Sequence, residues 1–387
     1  MQSNTSVEEL AYTAEMCDIR TVATDAIETP AELGQRIREA RLAAGLSQAE
    51  LASRIRLERS ALVKIETGDR KVSALELLRL SEVLELPLSH FVHRSPAAMV
   101  SRRDGLVEDA EAVERTKFRI DALLEGHLRD AEQLRSLGAL SAVEGVPETT
   151  VADAEAARAF ARTIRTFANV PSGPLPALAD FAERVGLFVL VADFDVDGSS
   201  LSPDRGFGVA VLGGKFPSGR RRFTAAHEIG HHVLGDEYQS DIGVAASRDD
   251  REQLIDVFAG ELLLPSDELL ALWSSGDGED AWTRLVRLSA GYRVSWAAVV
   301  RAAQKLELIG KSEAQAMYAR TPQRGDFMAI CGDAPTEDLH IGDVGPRWKK
   351  SVLASYRASR ITRARAVELL HGALTVDELP TVDEPQP

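Results

Sequence analysis

Apolar residues recur at helical spacing early in the chain: Leu33, Ile37, Leu42 and Leu46, then Leu51, Ile55, Leu62 and Ile65, then Leu75, Leu78, Leu80 and Leu84. A period near 3.6, broken by short Gly- or Ser-containing turns, predicts an all-helical domain over 31–92. Pro87 and the run HRSPA (93–97) close it. Residues 1–30 lack the pattern and read as a polar, acidic tail. Between 103 and 140 the apolar positions are sparse, at helical spacing among many charges. That predicts a long connecting helix inside a linker at 98–150, either solvated or carrying a stripe that pairs two copies of the chain as a homodimer. VEGVPETTVAD (143–153) reads as a hinge.

Beyond it the period alternates between 3.6 and continuous apolar runs. Helices are expected near 153–167 and 175–185, strands at GLFVLVADFDV (186–196) and FGVAVLGG (207–214), then helices near 220–235, 248–263, 279–289 and 295–308. Two strands followed by long helices predict an α+β domain over 151–310 rather than alternating βαβ units. The rest, 311–387, predicts a helix within RASRITRARAVELLHGAL and an acidic end.

Composition narrows the class. The chain is 44% hydrophobic and 27% charged, the balance of a globular protein. No apolar run approaches the ~20 residues of a membrane span, and the start lacks a signal-peptide pattern, so a cytoplasmic protein with no membrane partner is expected. Two cysteines, Cys17 and Cys331, cannot make a disulfide framework. A net charge of −15 argues against a protein that coats nucleic acid, yet residues 31–92 hold ten Lys/Arg against nine Asp/Glu. One near-neutral segment in an acidic chain is compatible with a single DNA-facing module.

That segment carries specific signals. Gly45 ends one helix, and Ser47 with Glu50 forms a capping box, S-Q-A-E, for a second over 48–55. A third follows near 58–67 and stops at Gly68. The run Leu46–Ala52, the K-I-E-x-G run Lys64–Gly68 and the apolar helix after it resemble the Cro/repressor (XRE-like) helix-turn-helix family. The resemblance implies DNA as a partner, with the third helix in the major groove. It further implies that Arg59, Ser60 and Lys64 face bases or phosphates and that Gln48 meets the DNA backbone. Glu58, which would repel phosphate, favours the competing reading of a helical bundle used for protein contact.

The second set of signals is RRRFTAAHEIGHHVLGD (220–236). His227 and His231, four apart on a helix, can share one cation, and Glu228 is placed to act as a general base without ligating. A zinc ion held there makes a water acidic enough to attack near neutral pH. His232, rotated about 100° off that face, reads as a satisfied structural histidine. A catalytic zinc needs a third protein ligand. Glu252 supplies it, with Asp256 one turn on to orient a ligand histidine. Glu261, two and a half turns from Glu252, faces away.

Here the chain is similar to the ImmA/IrrE family of metallopeptidases, through RFTAAHEIGHHVLG and FAGELLLP (Phe258–Pro265) over about 155–310. The resemblance implies a multidomain protein: an all-α helix-turn-helix domain plus an α+β, thermolysin-like (gluzincin) metallopeptidase domain. It implies Zn2+ as cofactor and a repressor-type protein as substrate in transcriptional regulation. Asp256 stands where many members have Asn, which preserves hydrogen bonding. Tyr292 and His232 are the candidates for an oxyanion donor. The competing class is a transcriptional regulator or antitoxin whose zinc domain senses or scaffolds without proteolysis.

Overall fold

Thr29, Ser47 and Ser73 each accept a bond from the backbone N–H three residues on, while Glu32, Glu50 and Glu76 reach back to the cap N–H. Each box satisfies two donors that a helix start leaves unpaired. In the computed structural model, which describes residues 26–93, 99–103, 110–235, 245–275 and 278–381, these boxes open three of the first helices. The elements are α1 (Pro30–Ala43), α2 (Gln48–Arg54), α3 (Arg59–Glu66), α4 (Ala74–Leu84) and α5 (Leu88–Val92). Of the expected tails, residues 1–25 and 382–387 lie outside the described residues, while at the end of the 1–30 stretch Ala26 bridges to His93 and Thr29 caps α1. Gly68 turns at φ 81°, and a Cβ there would come within 2.7 Å of the Ala31 Cα. Ile37, Leu51, Ile55, Leu62, Ile65, Leu80, Leu84 and Phe91 form the buried interior. Leu42, Leu75 and Leu78, which share the helical period, lie on outer faces and are exposed.

The contacts divide the chain into two units, Met1–Pro96 and Ala97–Pro387. The second unit opens with β1 (Met99–Arg103), α6 (Ala110–Ser136), α7 (Ala154–Phe167), α8 (Leu178–Arg184), β2 (Leu187–Ala192), β3 (Gly198–Asp204) and β4 (Phe207–Gly213). After these come α9 (Ser218–Leu234), α10 (Ala245–Leu263), α11 (Ser266–Ser274), α12 (Ala281–Tyr292) and α13 (Trp296–Lys305). The last are α14 (Lys311–Ala319), α15 (Arg324–Cys331), α16 (Pro346–Arg357) and α17 (Arg363–Leu369).

The strands form a four-stranded sheet in the order β1-β3-β4-β2, with β2 parallel to β4 and the other pairs antiparallel. Both faces are covered, which is why β2 and β4 read as unbroken apolar runs. Leu187, Val189, Val191, Ala210 and Leu212 pack toward α7, α9 and α10, while Phe188, Leu190, Val209 and Val211 pack toward α6, α16 and α17. The outer edge of β2 is paired by the 342–344 segment: Val191 N–H bonds the Asp343 carbonyl, and Gly342 N–H bonds the Val191 carbonyl.

The region expected as a linker at 98–150 therefore has a different place. It does hold a long helix, but β1 pairs with β3, and Leu124, Leu128, Ala131 and Leu134 of α6 are core residues under the sheet. The sparse apolar positions are enough because they fall on one face. The 311–387 region likewise belongs to the second unit: Trp348, Val352, Leu369 and Leu370 complete the same core. Of its expected helix around RASRITRARAVELLHGAL, Arg363–Leu369 is helical as α17, while α16 ends at the segment's first residue, Arg357, and Ser359 turns at φ 53°.

Candidate metal centre and nucleic-acid interface

α9 and α10 carry the metal-type residues, and a glycine sits where they meet. A Cβ on Gly230 would lie 3.0 Å from the side chains of both Ile255 and Phe258, so any larger residue would require them to give way by a few tenths of an ångström. This approach brings three ligand atoms of His227, His231 and Glu252 within 4.8 Å of one another. The two Nε2 atoms are 3.0 Å apart, and Glu252 Oε2 lies 3.2 Å from His227 Nε2 and 3.7 Å from His231 Nε2. Tetrahedral zinc with bonds of ~2.0 Å spaces its ligands by about 3.3 Å. Two imidazoles and a carboxylate at this separation suit zinc, both in donor type and in spacing.

The surroundings favour a cation. Burial works against charge on His227, yet hydrogen bonds to Asp256 and Glu252 and the nearby Glu228 outweigh it and raise the pKa of the ring. Asp256 Oδ1 sits 3.0 Å from His227 Nδ1, on the side of the ring away from the Nε2 cluster. That contact fixes which nitrogen presents its lone pair.

Glu228 is fully buried, and its Oε2 accepts a 2.6 Å bond from the Ser200 hydroxyl. Ser200 is a site neighbour the pattern of the chain did not reveal. It lies on β3, whose GSSLSPD sequence has no apolar alternation, because its Ser200 and Ser202 side chains serve α9 rather than an apolar layer. His232 is one of these partners. Ser202 Oγ lies 2.6 Å from its Nδ1 and the Val185 carbonyl 3.0 Å from its Nε2. Burial pushes its pKa down to about 4, so the ring is neutral and held by both neighbours, and it is not turned to the metal-type cluster. Tyr292 donates its hydroxyl to Glu268. Glu261 is occupied by Arg162 and Ser266, as its orientation away from Glu252 requires.

In the first unit, the four residues expected at DNA divide. Arg59, Ser60 and Lys64 are exposed on α3. Gln48 instead donates its side-chain amide to Glu66 at 2.8 Å, joining a buried ion pair in which Arg41 Nε is 2.5 Å from the same carboxylate. The network ties α1, α2 and α3 together, and Gln48, half-buried at the start of α2, takes part in it. Glu58 is exposed at the start of α3 and makes no side-chain cap.

Comparison with known families agrees with this division. Residues 37–91 match the helix-turn-helix family, and residues 182–304 match the IrrE N-terminal-like domain of the M78 peptidases. No curated protein matches the chain. Among solved structures, Bacillus thuringiensis PlcR in complex with the peptide PapR7 and DNA is similar at 12% identity, over 78% of this chain and 96% of its own. Its TM-score of 0.18 is too low to bear on fold or function. Among the described residues, no helix is long and apolar enough to cross a membrane.

Proposed function

We propose that this chain, a helix-turn-helix module joined to an IrrE-type peptidase domain, is a DNA-binding zinc metallo-endopeptidase that hydrolyses a peptide bond in a repressor-type partner. The observation that carries the reading is the convergence of His227, His231 and Glu252 with the buried Glu228 on the same helix as the two histidines. His227, His231 and Glu252 would hold the zinc, and Asp256 would orient His227. This HExxH…E set is that of a thermolysin-like, gluzincin peptidase, and the reading puts the enzyme in the cytoplasm, where its DNA is.

When bound, zinc supplies Lewis acidity to the scissile carbonyl and to the attacking water. Glu228 takes a proton from that water as the new C–O bond forms. It delivers the proton to the leaving nitrogen as the C–N bond breaks. The Ser200 hydroxyl, bonded to Oε2, holds the carboxylate in one orientation throughout. A scaffold that never hydrolysed anything would have no use for a buried proton carrier beside a metal.

Glu228→Gln tests the reading. It preserves shape and hydrogen bonding but cannot accept the proton. The variant should fold, keep its zinc and bind its partner, while cleavage of that repressor-type partner falls by ~10²–10⁴. Glu252→Gln should lose zinc as well as activity. Cleavage by Glu228→Gln at the wild-type rate would leave the zinc domain as a sensor or scaffold within a regulator.

A further inference from the structure

A second group of ligand-type side chains sits under the opposite face of the sheet from α9 and α10. His127 and Asp130 are three apart on α6, so they share one helix face. His371 follows α17 and joins them: one ligand atom from each of the three lies within 4.8 Å of the others. This is a mixed nitrogen and oxygen set, not an acidic patch.

Two further observations point into the same spot. His127 is only 2% exposed, and neither of its ring nitrogens meets a partner at hydrogen-bonding geometry. The Phe188 carbonyl is near enough to favour charge on the ring slightly, but not to bond it. Buried polar groups without partners are rare, and each asks for an explanation. His371 Nε2 is likewise buried without a partner. The backbone of His371 is held at φ 48°, a conformation that side-chain-bearing residues seldom adopt. That turn brings its ring edge-on to His127, centroids 5.7 Å apart, while Trp348 covers His127 at 4.5 Å.

We infer that His127, Asp130 and His371 form a second cation site, for a divalent metal of the zinc class, that ties the C-terminal segment to α6. Two imidazoles with one carboxylate favour such an ion over magnesium or calcium, which prefer all-oxygen shells. Arg365 donates to Asp130 Oδ1. A carboxylate has two oxygens and can serve a guanidinium and a metal together. Zinc with bonds of ~2.0 Å spaces its ligands by about 3.3 Å, so ligand atoms that lie within 4.8 Å of one another would draw together around the ion and fasten the C-terminal segment.

The test counts metal. The full-length chain is stripped with chelator, reloaded with Zn2+, desalted and analysed by mass spectrometry. We expect two equivalents for the wild type and one for His371→Ala, with a further one lost in His371→Ala/His231→Ala. His371→Cys, which replaces one zinc ligand with another, should recover two, and it also serves if His371→Ala folds poorly. No fall in bound zinc from the wild type to His371→Ala, or no recovery of the lost equivalent in His371→Cys, would overturn the site and leave His127 a core histidine. The outcome is separable from the proposed active centre. If that assignment alone were wrong, the wild type and His231→Ala would each hold one equivalent and His371→Ala none.

Discussion

Arg41 and Gln48 lie beneath the surface that Arg59 and Lys64 present, and the two pairs serve different ends. The first pair satisfies Glu66, whose carboxylate is otherwise enclosed. Leaving such a charge without its partner costs about 3–5 kcal/mol, so this network holds the turn rather than touching a ligand. The second pair stands in solvent on α3. If α3 faces a phosphate backbone, Arg59→Ala/Lys64→Ala should weaken binding to a promoter-proximal duplex without lowering the melting temperature. Its salt dependence should become shallower, by roughly one counterion per lost phosphate contact. Unchanged affinity and slope, measured by fluorescence anisotropy over a salt series, would reassign the module to protein recognition.

At the scale of elements, the approach of α9 to α10 decides whether the metal-type residues meet at all. Alanine in an open helix is favoured over glycine by about 1 kcal/mol. At position 230 the added methyl would press on Ile255 and Phe258, which flank Asp256 on α10 and lie three and six residues beyond Glu252. Gly230→Ala should therefore lose about 1–3 kcal/mol of stability and bind zinc more weakly, because the helix bearing Glu252 is pushed outward. Thermal melts and competitive zinc titration read both effects. A variant that gains stability and keeps its zinc affinity would show that the helices have slack. Strands behave differently from this pair: β2 and β4 announce themselves because both faces are buried, whereas β3 gives its side chains to Glu228 and His232 and so looks like a loop.

Across the whole second unit, the C-terminal region is fastened to the core through Glu183. Its carboxylate accepts 2.7 Å bonds from the backbone N–H groups of Arg347 and Trp348 at the start of α16. Burial dominates over those bonds and pushes its pKa up to about 7. The ordinary value is 4.5, so the folded state holds this proton more tightly than the unfolded chain. The stabilisation it brings is complete below pH 4.5 and is lost as pH rises through about 7. Wild type should thus lose stability relative to Glu183→Gln between pH 5 and 8, by on the order of 3 kcal/mol. Denaturant melts across that range provide the check. A difference independent of pH would mean that the two backbone donors keep Glu183 ionised throughout.

What the sequence determined by itself was local: the capping box at Ser47, the helices under the 3.6 period, the apolar strands β2 and β4, and the i, i+4 histidines with Glu228 between them. Each depends on neighbours within one or two turns, which spacing encodes directly. Even the distant Glu252 and Asp256 could be placed, because α10 presents them one turn apart. Tertiary structure decided the rest. A sparse face of α6 became core only because the sheet lies over it, and Gln48 found a partner in Glu66 only because α2 packs beside the buried Arg41–Glu66 pair. Ser200 reached Glu228 from 28 residues away, and His371 reached His127 from the end of the described chain. No periodicity records such meetings, since a side chain's partner across a fold is set by the packing of whole elements.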